Sequence, residues 1–68
     1  MKSRLKELRA RDGLNQSELA KRAKISRQTV SLIEREEYKP SLLIAARITK
    51  VFNESIENVF IFSEEELL

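Results

Sequence analysis

Three polar side chains within five residues, Arg27, Gln28 and Ser31, have the donors and acceptors needed to bond base edges. The Arg27 guanidinium can bond O6 and N7 of guanine and the Gln28 amide can pair with N6 and N7 of adenine, each contact being worth about 1–3 kcal/mol of discrimination. Ser31 can donate or accept, so it indicates no particular base. The neighbouring Leu32 fits a thymine methyl and a rim contact with another helix equally well. These residue types predict a surface that reads the major groove of duplex DNA.

A second set of residues carries groups that bind backbone phosphates, which set the register of a protein on DNA and supply much of its salt-dependent affinity. Gln16 opens a predicted helix, where free N–H groups and the positive end of the helix dipole attract an anion. Thr29, Arg35, Tyr38 and Lys39 are further candidates. Packing of the Tyr38 ring on the domain edge explains that residue equally well.

Residues 16–35 have the hydrophobic pattern of two short helices joined by a tight turn. In each half the apolar side chains share one helical face, and they are Leu19, Ala20, Ala23, Val30 and Ile33. At 100° per residue, burial of Val30 and Ile33 turns the base-reading side chains outward. Ser26 can cap the second helix by accepting the N–H of Thr29. The pattern therefore predicts a helix-turn-helix whose second helix enters the groove.

The sequence resembles the lambda-repressor-like helix-turn-helix regulators of the Cro and phage-repressor type, especially the very small stand-alone members that pair as dimers. The resemblance is carried by Leu14-Asn15-Gln16, Ser17-Glu18-Leu19-Ala20, Ser26-Arg27-Gln28-Thr29-Val30-Ser31, Ile33-Glu34 and Pro40-Ser41-Leu42. These motifs span most of the chain. The resemblance implies that Gln16 grips the DNA backbone.

The resemblance also implies an ion pair between Arg9 and Glu34, which we expect to be partly buried and to fix the second helix of the motif against the first helix of the chain. Removal of one partner should then cost more than the roughly 0–1 kcal/mol of an exposed pair. The chain departs from the family at Lys24 and Glu36, where glycine often stands. A side chain in the left-handed region costs about 1–2 kcal/mol, so these turns either relax or are strained.

Helix signals along the chain predict an all-α fold, a compact five-helix lambda-repressor-like domain over residues 1–62. The first predicted helix is capped by Ser3 and ends near Asp12, and the second is capped by Asn15, with Glu18 completing a capping box. The third runs from Arg27 to about Arg35. The fourth is capped by Ser41 and ends near Phe52, and the fifth is capped by Ser55 and covers Ile56 to Val59. The inward face predicted for the fourth helix is Leu42, Ala45, Ile48 and Phe52. The run 60–62 could be extended, and the acidic tail 63–68 is expected to fray at least partly.

Composition restricts the function classes. The 68 residues include no Cys and no His, so there is no disulfide framework, no zinc site and none of the usual nucleophile and base pairs. We therefore expect no enzyme, no cofactor and no small-molecule ligand, and we interpret Glu64, Glu65 and Glu66 as a solvated tail rather than a cation site. No signal peptide and no apolar run of about 20 residues is recognised, which predicts a cytoplasmic protein without membrane contact.

Charge is segregated along the chain. The net charge is only +2, yet residues 1–40 carry eleven Lys and Arg against six Asp and Glu, whereas residues 41–68 carry two against five. The basic part contains the helix-turn-helix, and segregated charge creates a local positive field whatever the total. The sequence therefore predicts a double-stranded DNA partner for the first half.

Apolar residues in excess of a small core predict a homodimer, because one reading helix contacts too few base pairs to discriminate against a genome. The predicted interface comprises Leu43, Ile44, Val51, Phe60, Ile61 and Phe62, with Leu67 and Leu68 as further surplus, although Ile44, Val51 and above all Phe60 could simply complete the core. The leading hypothesis is a repressor of transcription that binds a near-palindromic operator. The alternative is a protein-binding module of the same fold, an antitoxin or an antagonist of another regulator, that acts through its apolar C-terminal surface.

Overall fold

The computed structural model describes residues 1–68 as six helices and one small sheet. In chain order the elements are β1 (Lys2–Ser3), α1 (Leu5–Asp12), α2 (Gln16–Ala23), α3 (Arg27–Glu34), α4 (Leu42–Phe52), α5 (Ile56–Val59), β2 (Phe60–Ile61) and α6 (Glu64–Leu67). The five predicted helices are all present, which confirms the predicted fold class. The strand β1 and the helix α6 are additions to that prediction.

Side-chain caps begin the helices that build the site. The Glu18 N–H donates to Asn15 Oδ1 over 2.7 Å and the Asn15 N–H donates to Glu18 Oε1 over 3.0 Å, which is the predicted capping box. Ser26 Oγ accepts the N–H of Thr29 over 3.0 Å, and Ser41 caps α4 in the same way. These predicted caps are confirmed, and they fix where α2, α3 and α4 begin.

Two other predicted caps are wrong. Ser3 does not cap α1, because it lies in β1 and pairs with Phe60 in an antiparallel ladder. The residue before α1 is Arg4, whose N–H donates to the Val59 carbonyl over 2.8 Å. Ser55 precedes α5, but its side chain accepts no hydrogen bond from that helix. The N-terminal segment is thus drawn toward the C-terminal part of the chain, and this long-range pairing replaces a local cap.

Four residues have left-handed backbone conformations. Gly13, Lys24 and Asn53 end α1, α2 and α4 with φ of 69°, 57° and 55°, and Glu36 follows α3 with φ of 62°. Glycine tolerates this region freely and asparagine does so more readily than other residues, whereas Lys24 and Glu36 have no such tolerance. The turns at Lys24 and Glu36 therefore adopt a left-handed backbone at the cost of local strain.

The core lies where α2 packs against α3 and α4. Its buried residues are Leu5, Leu8, Leu14, Leu19, Ala20, Ala23, Val30, Ile33, Ala45, Ile48, Phe52, Val59 and Phe60. The predicted inward position of Leu42 is wrong, because 77% of this residue is exposed. Leu42 stands in the first turn of α4, where it borders an apolar concavity together with Pro40 and Phe62. The helical period predicts its direction, but the residues around the start of α4 leave an apolar concavity there instead of covering Leu42.

The acidic tail is folded, so the prediction that it frays is wrong. Ser63 and Glu66 form a second capping box at the start of α6. One Glu66 carboxylate oxygen also lies 3.0 Å from the amino group of Met1 and 3.5 Å from Lys39 Nζ. The hydrogen bond from the Ser63 N–H and the positive amino group lower the pKa of Glu66 to about 2. The tail is therefore anchored by charge and capping rather than by burial.

The longest helix, α4, has 11 residues, and no helix of this structure could span a bilayer.

Candidate nucleic-acid interface

The orientation of α3 decides which side chains it offers. Val30 and Ile33 are 0% and 1% exposed, because they face α2 and the core. Arg27 and Gln28 are exposed at the N-terminal end of the helix. Ser31 and Leu32 are half-buried. The two side chains with the most specific base-reading chemistry are therefore free to meet a partner.

The N-terminal ends of α2 and α3 meet at a polar concavity. Gln16, Arg27, Gln28 and Ser31 line a volume of about 300 Å³ that has no apolar lining residue. We call this the polar cup. A neighbouring concavity of about 350 Å³ shares two of these residues and is completed by Arg9, Asn15 and Ser17. The structure thus brings together three predicted base-reading residues and the predicted phosphate ligand Gln16.

A bidentate ion pair holds α3, one of the two helices that form the polar cup, against α1. Arg9 Nε donates to Glu34 Oε2 over 2.6 Å and Arg9 Nη2 donates to Glu34 Oε1 over 2.9 Å. Arg9 Nη1 donates to the Leu14 carbonyl over 3.2 Å. The Arg9 and Glu34 side chains are only 14% and 10% exposed. The pair therefore ties α1 to the last residue of α3 at a largely buried position.

Gln16 joins the same network. Its Nε2 donates to Glu34 Oε1 over 3.1 Å, which leaves the second N–H of that amide group unused. Burial by itself would raise the pKa of Glu34, but the hydrogen bonds from Arg9 and Gln16 and the positive charge of Arg9 outweigh it and lower that pKa. Glu34 is thus held as a carboxylate, and the Gln16 side chain is fixed at the edge of the polar cup.

The first turn of α2 has free donors beside Gln16. The backbone N–H groups of Gln16 and Ser17 have no acceptor within the protein, as is usual in the first turn of a helix. Such groups at the positive end of a helix dipole attract phosphate. Ser17 was not among the predicted site residues, although its place one residue after Gln16 in the first helical turn is a sequence signal for it.

The other phosphate candidates lie outside the polar cup. Thr29 is half-buried and its Oγ1 is 2.8 Å from Ser26 Oγ. Arg35 Nε is 2.8 Å from a carboxylate oxygen of Glu37, with both side chains exposed. Lys39 is paired with the tail, and Tyr38 is 38% exposed. Thr29, Arg35 and Lys39 each have an intramolecular partner, and each keeps further hydrogen-bonding groups that the partner does not use.

The predicted interface residues divide into three groups. Leu43, Ile61 and Phe62 are 60%, 48% and 39% exposed. Ile44 and Val51 are partly buried and pack against the core. The inclusion of Phe60 is wrong, because only 1% of it is exposed and it is one of the largest core side chains. Pairing of β2 with β1 turns Phe60 inward and its neighbour Ile61 outward.

Comparison with other proteins is consistent with this geometry. A helix-turn-helix family model matches residues 5–59. Similar chains include an uncharacterized HTH-type transcriptional regulator of Archaeoglobus fulgidus, 49% identical over 67 residues that make up 98% of this chain and 94% of that protein. Another is an uncharacterized HTH-type transcriptional regulator of Bacillus subtilis, 48% identical over 65 residues, with 96% and 98% covered.

Two solved structures share the fold. The restriction-modification controller protein C.AhdI of Aeromonas hydrophila superposes with a TM-score of 0.78 at 30% identity, covering 84% of this chain and 86% of that one. The clp gene regulator ClgR of Corynebacterium glutamicum gives a TM-score of 0.73 at 26% identity, covering 79% and 57%.

The fold and the site together define a class of protein. It is a helix-turn-helix protein in which α3, the second helix of the motif, presents unpaired polar side chains at its N-terminal end. The chain belongs to the lambda-repressor-like helix-turn-helix family of DNA-binding transcriptional regulators, which are not enzymes.

Proposed function

We propose that this protein is a transcriptional repressor that binds a near-palindromic operator as a homodimer, with α3 of each protomer in the major groove. The observation that carries the proposal is the arrangement of α3, in which Val30 and Ile33 are buried while Arg27 and Gln28 are exposed. In this proposal the protein represses by occupying promoter DNA and excluding the polymerase.

The polar cup supplies the base contacts in this proposal. Arg27 has no carboxylate partner within the protein, so its fork is available for O6 and N7 of a guanine. Gln28 pairs with an adenine, and Ser31 and Leu32 make the remaining contacts in the groove. Gln16 and the free N–H groups beside it bind a backbone phosphate, with Thr29, Arg35, Tyr38 and Lys39 as further phosphate ligands.

The size of the reading surface and the exposed apolar side chains support the proposed homodimer. A two-fold pair places two reading helices about 34 Å apart on one face of the duplex. Leu43, Ile61 and Phe62 supply exposed apolar area, and Ile44 and Val51 supply its half-buried edge. This surface belongs to the half of the chain that carries the acidic excess.

The test is a selection for bound duplexes from a random pool, carried out at two salt concentrations. We expect enrichment of a two-fold symmetric site, with an affinity that falls steeply as salt rises. A pool without an enriched sequence, or with only an asymmetric site bound by a monomer, would contradict the proposal.

A second candidate function rests on exposed apolar residues at the start of α4 and in the C-terminal part of the chain. Leu42 is 77% exposed and borders the apolar concavity with Pro40 and Phe62, so a module that binds another protein could use this side of α4. That function requires no DNA binding. Salt-dependent binding to one selected palindrome therefore separates the two candidates.

A further inference from the structure

A second, larger concavity lies between the C-terminal end of α2 and α4. It has a volume of about 450 Å³ and is lined by Arg22, Lys24, Arg47 and Lys50, with Ala23 and Val51 as the apolar lining residues. We call it the basic cup. Its four cationic side chains come from the end of α2, the turn after α2, and the second half of α4.

The cations of the basic cup have no partner within the protein. None of the four forms an ion pair, whereas Arg4, Arg9, Arg11 and Arg35 each do. No acidic residue lines the concavity. The negative end of a helix dipole favours a cation at the end of α2 or α4, but Arg47 lies in the middle of α4. Four like charges around one concavity repel one another, and a bound anion would relieve that repulsion.

The position of the basic cup relative to the polar cup indicates which anion fits. Helix α2 has eight residues and is therefore about 12 Å long, close to the roughly 12 Å width of the major groove. Its N-terminal end carries Gln16 and two free N–H groups, and its C-terminal end carries the basic cup. Groups that attract phosphate thus stand at both ends of the helix that packs against the reading helix.

We propose that the basic cup binds phosphate groups of the DNA strand on the far side of the major groove, so that α2 bridges the two walls of the groove. Gln16 binds one strand, the basic cup binds the other, and Arg27 and Gln28 read bases between them. The inference rests on the proposed function, and it adds Arg22, Lys24, Arg47 and Lys50 to the DNA-binding surface.

The test combines a protein variant with neutral positions in the DNA. Single methylphosphonates replace one phosphate at a time in the selected operator, and binding is measured for the wild-type protein, Arg47→Gln, Lys50→Gln and Gln16→Ala. The control is Lys2→Gln, which removes the same charge from the exposed strand β1. Arg47 and Lys50 are exposed, so both variants are expected to melt as the wild type does.

We expect two groups of sensitive phosphates, one on each strand. Neutralising a phosphate of the first group should lower the operator affinity of the wild type but not that of Arg47→Gln. Neutralising a phosphate of the second group should lower the operator affinity of the wild type but not that of Gln16→Ala. In Arg47→Gln the slope of log affinity against log salt should become shallower by about 0.9 for each phosphate that the variant no longer neutralises. Lys2→Gln should keep the wild-type map and slope.

The inference is overturned if Arg47→Gln and Lys50→Gln retain the wild-type phosphate map and salt slope. It is also overturned if Arg47→Gln loses binding of free tripolyphosphate but keeps the wild-type phosphate map on DNA. The basic cup would then bind a free anion and not the DNA backbone. Absence of any selected operator is a different result: it rejects the proposed function itself.

Discussion

At the residue scale, Glu34 connects α1 with α2 and α3, the two helices that form the polar cup. Its carboxylate accepts hydrogen bonds from Arg9 of α1 and Gln16 of α2, while Glu34 is itself the last residue of α3. Breaking a largely buried pair leaves one charge without compensation, which costs more than breaking an exposed pair. One side chain therefore affects both the stability of the protein and the position of its reading helix.

Substitution Glu34→Ala should lower the free energy of unfolding by about 2 kcal/mol, between the values of exposed and fully buried pairs. Urea denaturation measures this change. The matched control is Glu37→Ala, which breaks the exposed pair with Arg35 and should change stability by less than about 0.5 kcal/mol. Equal effects of the two substitutions would show that the Arg9 pair has no special structural role.

The double substitution Arg27→Ala with Gln28→Ala should abolish preference for the selected operator while leaving non-specific binding largely intact. Removal of two bidentate base-reading side chains corresponds to about 2–6 kcal/mol of discrimination. Gln16→Ala should instead weaken operator and unrelated duplexes alike, because phosphate contacts carry no base information. Competition binding with both duplexes measures the ratio. An unchanged ratio in the double variant would remove α3 from base reading.

At the element scale, local signals predicted most of the helices, and long-range contacts account for what they missed. The caps Asn15 and Ser26 act within three residues, so the sequence alone locates the starts of α2 and α3. The pairing of Ser3 with Phe60 joins residues far apart in the chain, and no helical period encodes it. The polar cup was predictable because it follows from the buried face of α3. The basic cup was not, since it depends on how α2 packs against α4.

The left-handed residue after α3 offers a stability prediction for one element. Glu36→Gly should raise the free energy of unfolding by about 1 kcal/mol, because relief of left-handed strain exceeds the added entropy of the unfolded chain. Urea denaturation is again the measurement. Asn53→Gly is the control at a comparable φ and should give a smaller gain, since asparagine tolerates this conformation. A decrease of stability in Glu36→Gly would mean that the turn is not strained.

At the scale of the whole molecule, α6 joins the two ends of the chain, and this contact depends on pH. The folded pKa of Glu66 is about 2, below its ordinary value of 4.5, so its stabilising effect is complete above the ordinary value and is lost as the pH falls toward 2. Glu66→Gln should therefore melt at a lower temperature than the wild type at pH 7, and the difference should vanish in strong acid. Glu65→Gln, which breaks no ion pair of the structure, should melt as the wild type does at both pH values.

The proposed dimer is also a property of the whole molecule, and it separates folding from assembly. Leu43 is 60% exposed and contributes nothing to the buried core, so Leu43→Lys should leave the helical content and melting of the monomer almost unchanged. Light scattering at tens of micromolar should give a dimer for the wild type and a monomer for this variant.

The variant should also lose affinity for the two-fold operator but bind an isolated half-site as the wild type does, because α3 is untouched. Lys2→Gln, at an exposed position of β1, serves as the control and should remain dimeric. A wild-type protein that is monomeric at these concentrations, yet binds the full operator no better than a half-site, would leave the exposed apolar surface to a different protein partner.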